Sequence, residues 1–325
     1  MTQEEHKVIT VAQAKQMMNG VVIPLATAFK DNGDLDIDTT QRNIQWIVDE
    51  GAKPGNTVFI ACGSGGDFTV QTVEERKAVI KATAEIANRY RIPTFASVQS
   101  TDIRTTIDLC QHCEKVGIDI VQMSSAYYYD VKQEDYIAWV KEVSKHTKVG
   151  FAAYSHWYSG SKYDMTMEVA EKLMEIPNTV AVKWASPNLP NYIAGLKYFI
   201  PRAGVVNNGP LVTYGYMLGA KAWVSHVPNF YPQHSWKVHE LLTAGKFQEA
   251  DALHSAFEDP YWKLNMKILG QTSGEGVFVK PWMDAAGLKG GVSRLPSRTD
   301  TATPEIRKEM SKLLEKAKEL VAKAK

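Results

Sequence analysis

The sequence predicts an α/β protein of the (β/α)8-barrel, or TIM-barrel, class with additional C-terminal helices. Eight short apolar runs occur along the chain, and each is followed by a helical pattern or a turn. The runs are apolar almost throughout, as expected for parallel strands that are buried on both faces, which favours a closed barrel over an open sheet. The length of 325 residues accommodates a barrel of roughly 250 residues and an extension.

Each predicted strand is an apolar run bounded by turn residues. The eight runs are residues 21–29, 57–62, 93–98, 118–123, 149–154, 179–183, 203–207 and 222–225. Helical patterns separate them, the clearest at residues 39–50, 73–88, 165–175, from 102 and from about 133. Three regions are therefore expected. These are an N-terminal extension at 1–19, the barrel core at 20–232, and a C-terminal helical region at 233–325 packed on the barrel.

Composition excludes several classes of protein. The chain is 44% hydrophobic and 22% charged with a formal net charge of +1, so nothing indicates a nucleic-acid partner. No apolar run approaches the roughly 18 residues that a membrane span needs, and the N-terminus does not resemble a signal peptide, which predicts a cytoplasmic protein. The chain has three cysteines, Cys62, Cys110 and Cys113, and the last two form a Cys-x-x-Cys within a helical pattern, which favours helix-buried thiols over a metal site.

Lys183 ends the sixth apolar run, Thr-Val-Ala-Val-Lys. The active sites of barrels of this class lie at the C-terminal ends of the strands. Burial there lowers the pKa of a lysine and makes the neutral amine available as a nucleophile. The alternative is a lysine whose charged end reaches solvent.

Tyr154 ends the fifth run, so it is expected beside Lys183 at the same end of the barrel, where its phenol can transfer protons. A tyrosine that only covers the core is the alternative. The second run ends in a glycine-rich turn, with Gly63, Ser64 and Gly65, whose backbone N–H groups suit a carboxylate. Together, a lysine, a tyrosine and an anion cradle provide what Schiff-base chemistry on a 2-oxo acid requires.

The chain resembles the dihydrodipicolinate synthase / N-acetylneuraminate lyase superfamily of class I aldolases over roughly residues 20–318. The resemblance rests on the opening segment 20–29, the turn 63–67 in place of Gly-Thr-Thr-Gly-Glu, Tyr154 and Lys183 at a fitting spacing, and Arg294-Leu-Pro before the last helix. It implies that Lys183 forms the Schiff base, that Tyr154 and Ser64 are relay hydroxyls, and that the protein is a homo-oligomer, a tetramer or a dimer. Gly65 stands where the family has a second threonine.

Other residues fall near the same end of the barrel and define the rest of the candidate site. Tyr127 resembles a tyrosine that completes the relay from a neighbouring subunit. The candidates for substrate binding are Gly63, Gly65, Tyr127, His156, Trp157, Asn207 and His226, with Asn208 beside them. The family's synthases carry an arginine after the strand-five tyrosine that holds the second substrate's carboxylate, and here the segment is Tyr-Ser-His-Trp-Tyr.

The sequence therefore predicts a Schiff-base lyase that joins or cleaves a pyruvate-type 2-oxo acid and an aldehyde, with no cofactor and no metal. Aromatic residues near the mouth favour the hydratase-aldolase branch, which acts on arylidene-pyruvates and also has an aromatic residue after the lysine, here Trp184. A 2-keto-3-deoxy sugar acid dehydratase or aldolase is the alternative. A catalytically silent barrel that binds a 2-oxo acid, and a metal-dependent hydrolase using His156 and His226, are the alternatives of other classes.

Overall fold

The computed structural model describes residues 8–158 and 163–324. Eight parallel strands pair in sequence order, and the first pairs with the eighth, which closes the barrel. The strands are β1 (Gly20–Pro24), β2 (Thr57–Ala61), β3 (Thr94–Ser97), β4 (Ile120–Met123), β5 (Gly150–Tyr154), β6 (Thr179–Trp184), β7 (Gly204–Asn207) and β8 (Ala222–Val224). The predicted barrel is confirmed.

β1 is shorter than the predicted strand at 21–29. The Leu25 N–H still donates to the Ile60 carbonyl oxygen of β2 at 3.0 Å, but beyond Leu25 side chains from other elements take the next N–H groups. The Ala26 N–H donates to Asn229 Oδ1 at 2.9 Å, and the Ala28 N–H donates to Thr40 Oγ1 at 3.0 Å. The residues after β1 are therefore apolar because they are buried, although they no longer belong to the strand.

Helices follow the strands around the barrel and continue after the last one. They are α1 (Val11–Met17), α2 (Ile37–Asp49), α3 (Val73–Tyr90), α4 (Ile103–Val116), α5 (Gln133–Ser144), α6 (Met167–Met174), α7 (Leu189–Phe199), α8 (Val212–Leu218), α9 (Pro232–Thr243), α10 (Phe247–Leu269), α11 (Gly276–Ala285) and α12 (Pro304–Lys323). Cys110 and Cys113 are buried free thiols in α4, as expected.

α1 lies within the predicted N-terminal extension and contacts β6 and β7 at the N-terminal end of the barrel. Gly204, the first residue of β7, permits this contact, because a Cβ there would lie only 2.8 Å from the Ala14 carbonyl oxygen. Ala14 itself is fully buried. The helix therefore covers the end of the barrel opposite the candidate site.

The C-terminal helices pack on the barrel and on one another. α10 and α12 contact each other and α9, and α11 contacts the glycine-rich turn after β2. Aromatic rings fill this region; for example, Phe230 stacks on Trp282 with ring centroids 5.2 Å apart. In the described part of the chain, no helix combines the length and the apolar composition needed to cross a bilayer.

Candidate active site

Lys183 lies at the C-terminal end of β6, directly opposite Tyr154 in the register between β5 and β6. Its side chain is buried, and Nζ lies 4.4 Å from the centroid of the Tyr154 ring. Burial lowers the pKa of Lys183 to about 8, while the negative charge of Glu275 acts in the opposite direction. The structure thus brings the two predicted reactive side chains together.

The Tyr154 hydroxyl shares a short hydrogen bond with the Tyr158 hydroxyl, and the Asn208 side-chain amide donates to Tyr158 at 2.7 Å. Burial raises the pKa of both phenols, and the charge of Glu275 raises each further. Two neutral phenols and an amide therefore form a row of hydroxyl and amide groups beside Lys183. Ser64, the other expected relay hydroxyl, lies in the turn after β2, where the sequence places it.

The turn after β2 is tight. Cys62 and Asp67 both have positive φ, 53° and 57°, and between them residues Ser64–Gly66 form one 3-10 turn. Positive φ is uncommon outside glycine and often marks a functional turn. The Gly66 position admits no side chain, because a Cβ there would lie 2.7 Å from the Leu25 carbonyl oxygen.

A buried ion pair holds this turn. Lys280 Nζ, from α11, lies 2.7 Å from Asp67 Oδ2, and both side chains are at most 5% exposed. Lys280 also donates to the Val292 carbonyl oxygen at 2.7 Å. The pair joins the turn after β2 to the helix that follows Glu275.

His226, after β8, packs against the same turn. A Cβ on Gly65 would lie 2.9 Å from His226 Cδ2 and 3.1 Å from Nε2, so the imidazole fills the space that a side chain at position 65 would need. His226 Nε2 lies 3.0 Å from Glu275 Oε2. Burial would raise the pKa of Glu275, but the His226 contact and the charge of Lys183 outweigh it and lower that pKa.

His156 is buried after β5, with its ring between those of Tyr154 and Tyr163, at centroid distances of 5.4 and 5.8 Å. Burial lowers the pKa of His156 to about 4, and the charge of Lys183 adds to this effect. The imidazole is therefore neutral at pH 7. Trp157 is half-buried and contacts Tyr158 edge to face.

Asn207 and Trp184 make hydrogen bonds and packing contacts with the helices around the barrel. Asn207 accepts from the Tyr192 hydroxyl at 2.5 Å and donates to the Leu211 carbonyl at 3.2 Å. Trp184 packs on α7 at Gly195, where a Cβ would lie only 2.2 Å from the nearest atom of the Trp184 ring. The Trp184 Nε1–H donates to the Tyr192 carbonyl oxygen. Trp184 therefore faces the outer helices, as strand alternation predicts.

Tyr127 follows β4 and is 42% exposed, and its neighbours Tyr128 and Tyr129 are 82% and 78% exposed. Its phenol is close enough to the buried Arg76 guanidinium to affect the pKa of that group. This exposed tyrosine segment is where the resemblance expects a neighbouring subunit.

The sequence pattern of the Dihydrodipicolinate synthetase family matches residues 17–317, most of the chain. The chain belongs to the dihydrodipicolinate synthetase family. This membership confirms the expected superfamily and the expected enzyme class, a lyase. The match includes all eight strands and the C-terminal helices down to most of α12.

Proteins similar to this chain include two synthases and an aldolase. The 4-hydroxy-tetrahydrodipicolinate synthase of Persephonella marina is 26% identical over 259 residues, which are 79% of this chain and 85% of that protein. A dihydrodipicolinate synthase from Acinetobacter baumannii, complexed with pyruvate, superposes with a TM-score of 0.80 at 22% identity and covers 93% of this chain and 99% of its own. A sialic acid aldolase from Ruminococcus gnavus superposes with a TM-score of 0.80 at 21% identity and also covers 93% of this chain and 99% of its own. At these identities the structural likeness establishes the fold alone.

Sequence reasoning missed two residues that the fold places at the site. Tyr158 lies in an irregular segment after β5, and Glu275 lies in the irregular segment before α11. Strand order predicts which side chains lie at the ends of neighbouring strands. It does not predict where an irregular segment between two elements comes back to the mouth of the barrel. One signal was available for Glu275: it stands between two glycines, Gly274 and Gly276, just before an apolar helix. Within residues 8–158 and 163–324, no three His, Cys, Asp or Glu side chains are grouped to hold a metal ion.

Proposed function

We propose that this protein is a class I lyase that forms a Schiff base between Lys183 and a pyruvate-type 2-oxo acid. The observation that carries the proposal is the buried Lys183 amine, 4.4 Å from the Tyr154 ring centre and with a pKa of about 8. About a tenth of such an amine is neutral at pH 7, far more than for an ordinary lysine. A neutral amine is the form that attacks a carbonyl carbon.

The proposed reaction uses the groups around Lys183. The amine attacks C2 of the 2-oxo acid, the Tyr154 hydroxyl donates the proton with which the carbinolamine oxygen leaves as water, and an iminium remains. The backbone N–H groups of the turn at Gly63, Ser64 and Gly65 hold the carboxylate. The Tyr154 phenolate left by this step takes the proton of the C4 hydroxyl, the C3–C4 bond breaks, and its electron pair moves to the iminium, which becomes an enamine while the aldehyde leaves. The reverse sequence joins the two.

A pyruvate-trapping experiment tests this proposal. Borohydride reduces an iminium to a stable secondary amine, so pyruvate plus borohydride should add a stable mass to the peptide that contains Lys183. Pyruvate binding without any covalent mass would favour the catalytically silent barrel instead. Mass on other lysines alone would reject Lys183 as the nucleophile.

The rate of trapping should depend on pH. Because burial lowers the pKa of Lys183 to about 8, the neutral amine is a minor form at pH 6 and the major form above pH 8. We expect the initial rate of Schiff-base formation to rise about tenfold per pH unit below 7 and to level off above about 8.5. The protein is incubated with pyruvate at each pH, and timed samples are quenched into borohydride at one fixed pH. The reduction step is then the same for every sample, so the trapped mass measures the rate of Schiff-base formation. A rate still rising steeply at pH 10 would indicate an ordinary solvent-exposed lysine.

Replacing Tyr154 by phenylalanine should separate proton transfer from binding. Y154F removes the hydroxyl that reaches Tyr158 and leaves the ring beside Lys183. We expect the rate of trapping to fall roughly 10²-fold, within the usual range for one acid–base group, while the final extent at long times stays the same. The exposed Tyr129 provides the control variant Y129F, which should trap at the wild-type rate. An unchanged rate in Y154F would remove Tyr154 from proton transfer.

For the second substrate we propose only a chemical class, of which two are considered. A flat arylidene-type acceptor is supported by the half-buried Trp157 beside Tyr158, although Trp184 faces away from the mouth. A hydroxylated 3-deoxy-2-oxo sugar acid is supported by the Tyr158–Asn208 row of hydrogen-bonding groups. A screen of aromatic aldehydes against sugar aldehydes with pyruvate decides between them. Better turnover of sugar aldehydes would reject the arylidene class and leave the Lys183 assignment intact.

The location in the cytoplasm, the homo-oligomer and the three-region division at residues 19 and 232 stay predictions. The exposed tyrosine segment that includes Tyr127 supports a subunit contact near the site. The relay role of Ser64 and the carboxylate cradle of the glycine-rich turn are likewise proposals.

A further inference from the structure

Tyr158 connects the mouth of the barrel to the proposed reaction centre. Its hydroxyl shares a hydrogen bond with the hydroxyl of Tyr154, whose ring centre lies 4.4 Å from Lys183 Nζ. Tyr158 is 43% exposed, whereas Tyr154 is 3% exposed. A partly exposed tyrosine is therefore in direct contact with the buried phenol beside the nucleophile.

Asn208 fixes the Tyr158 hydroxyl from the other side. Its side-chain amide donates to that hydroxyl at 2.7 Å. Its backbone N–H donates at 2.9 Å to the carbonyl oxygen of Trp184, the residue after Lys183 in β6. The donor to Tyr158 is thus tied to the strand that carries the nucleophile, which is the kind of support that positions a reactive group accurately.

The two phenols are not equivalent as sites for a negative charge. A phenolate on Tyr158 would accept two hydrogen bonds, one from the Tyr154 hydroxyl and one from the Asn208 amide. Burial raises the pKa of both phenols, but these two hydrogen bonds act in the opposite direction on Tyr158, whereas the contact with Tyr158 raises the pKa of Tyr154 further. Hydrogen bonds to the charged form stabilise that form, so the charge is held better by Tyr158.

The proposed reaction creates such a charge. When Tyr154 gives up the proton with which the carbinolamine oxygen leaves as water, a phenolate remains in a buried position. A buried charge is costly unless hydrogen bonds stabilise it. Passing the charge to the Tyr158 oxygen places it where two donors converge and where the side chain is partly exposed.

We propose that Tyr158 is the proton-relay partner of Tyr154, that Asn208 positions it, and that the relay is therefore completed within one chain. The proposal rests on the proposed function. As the Tyr154 proton moves to the carbinolamine oxygen, the Tyr158 O–H bond breaks, its proton moves to the Tyr154 oxygen, and its electron pair stays on the Tyr158 oxygen. When the C4 hydroxyl later gives its proton to Tyr154, the proton on Tyr154 returns to Tyr158. Both phenols are then neutral as the aldehyde leaves.

This assignment differs from what the resemblance implies, in which Tyr127 completes the relay from a neighbouring subunit. Tyr127 follows β4 and is 42% exposed, and its phenol affects the pKa of the buried Arg76. Tyr158 already contacts Tyr154 within the chain. The relay is thus expected to depend on Tyr158 more strongly than on Tyr127.

Borohydride trapping of pyruvate tests the relay without knowledge of the aldehyde. In Y158F we expect the initial rate of trapping at saturating pyruvate to fall roughly tenfold, less than in Y154F, because Tyr154 still donates its own proton. The pyruvate concentration that gives half the maximal rate should not change, since Tyr158 acts on proton transfer and not on binding. Y90F is the matched control and should trap at the wild-type rate. Tyr90 is 40% exposed, and its hydroxyl also accepts from a side-chain amide, that of Gln45, at 3.1 Å.

A double variant distinguishes a relay from structural support. If Tyr158 acts through Tyr154, the variant Y154F/Y158F should trap no more slowly than Y154F alone, so the two losses are not additive. A merely structural role would add the Y158F loss to that of Y154F. N208D keeps the shape of the side chain but replaces the N–H donor by an oxygen that only accepts, so it should slow trapping in the wild type and have no effect in Y154F.

The outcomes separate the two proposals. A wild-type protein that does not trap pyruvate on Lys183 overturns the proposed function and this inference with it. Normal trapping by the wild type with an equal rate in Y158F overturns the inference alone, and so do additive losses in the double variant. A loss in Y127F as large as that in Y158F would place the relay at a subunit contact and would also overturn it. Thermal unfolding shows whether each variant is folded; if Y158F is not, N208D in the wild-type and Y154F backgrounds decides.

Discussion

K183R is expected to abolish covalent trapping of pyruvate and to reduce turnover at least about 10³-fold, a loss of roughly 4 kcal/mol of transition-state stabilisation. Arginine keeps the positive charge and much of the length of the side chain. Its guanidinium stays protonated at every accessible pH, so it does not attack a carbonyl carbon. The variant therefore removes nucleophilicity while it retains a positive charge at the end of β6.

A matched control distinguishes this loss from a general effect of the substitution. Lys221 is exposed just before β8, and K221R should trap pyruvate and turn over at the wild-type rate. Thermal unfolding of K183R, K221R and the wild type shows whether each variant is folded. Full turnover by K183R would disprove the Schiff-base mechanism for this chain.

K280M is expected to lower the free energy of unfolding by about 3–5 kcal/mol, the usual loss when one partner of a buried ion pair is removed. Methionine fills a similar volume, so the loss comes from the Asp67 carboxylate, which remains buried after its partner at 2.7 Å is removed. Urea denaturation followed by tryptophan fluorescence measures the change.

The exposed pair formed by Lys267 and Glu309 provides the control, because its N–O distance of 2.9 Å is similar and both side chains are about half exposed. K267M should leave the unfolding midpoint almost unchanged, since exposed ion pairs contribute little. If K280M and K267M lost equal stability, burial of the Asp67–Lys280 pair would not be the source of the effect. The double variant D67L/K280M should recover part of the loss, because it leaves no buried charge.

The barrel was predictable from the sequence because burial on both faces makes each parallel strand an apolar run. The same rule gave too long a first strand, since Ala26 and Ala28 lie in the apolar run but donate their N–H groups to the side chains of Asn229 and Thr40. Those partners lie far along the chain or in a helix, and no local pattern reveals them. Strand ends are therefore less predictable than strand positions.

The candidate site was predictable where it depends on strand order. Tyr154 and Lys183 end consecutive strands, and consecutive strands are neighbours in this barrel, so their proximity followed from the order of the runs. The partners of those two side chains were not predictable. Tyr158 and Glu275 reach the site from irregular segments, whose paths depend on contacts such as the Gly276 N–H to Asp67.

The contact between Asp67 and Lys280 also has a consequence for synthesis of the chain on the ribosome. A nascent chain that has emerged only as far as β8 contains every strand of the barrel and the Lys183 amine, but it lacks the partner that holds the turn after β2. The Lys183 amine is therefore made about a hundred residues before Lys280, and the ion pair that holds the turn forms only after α11 has been translated.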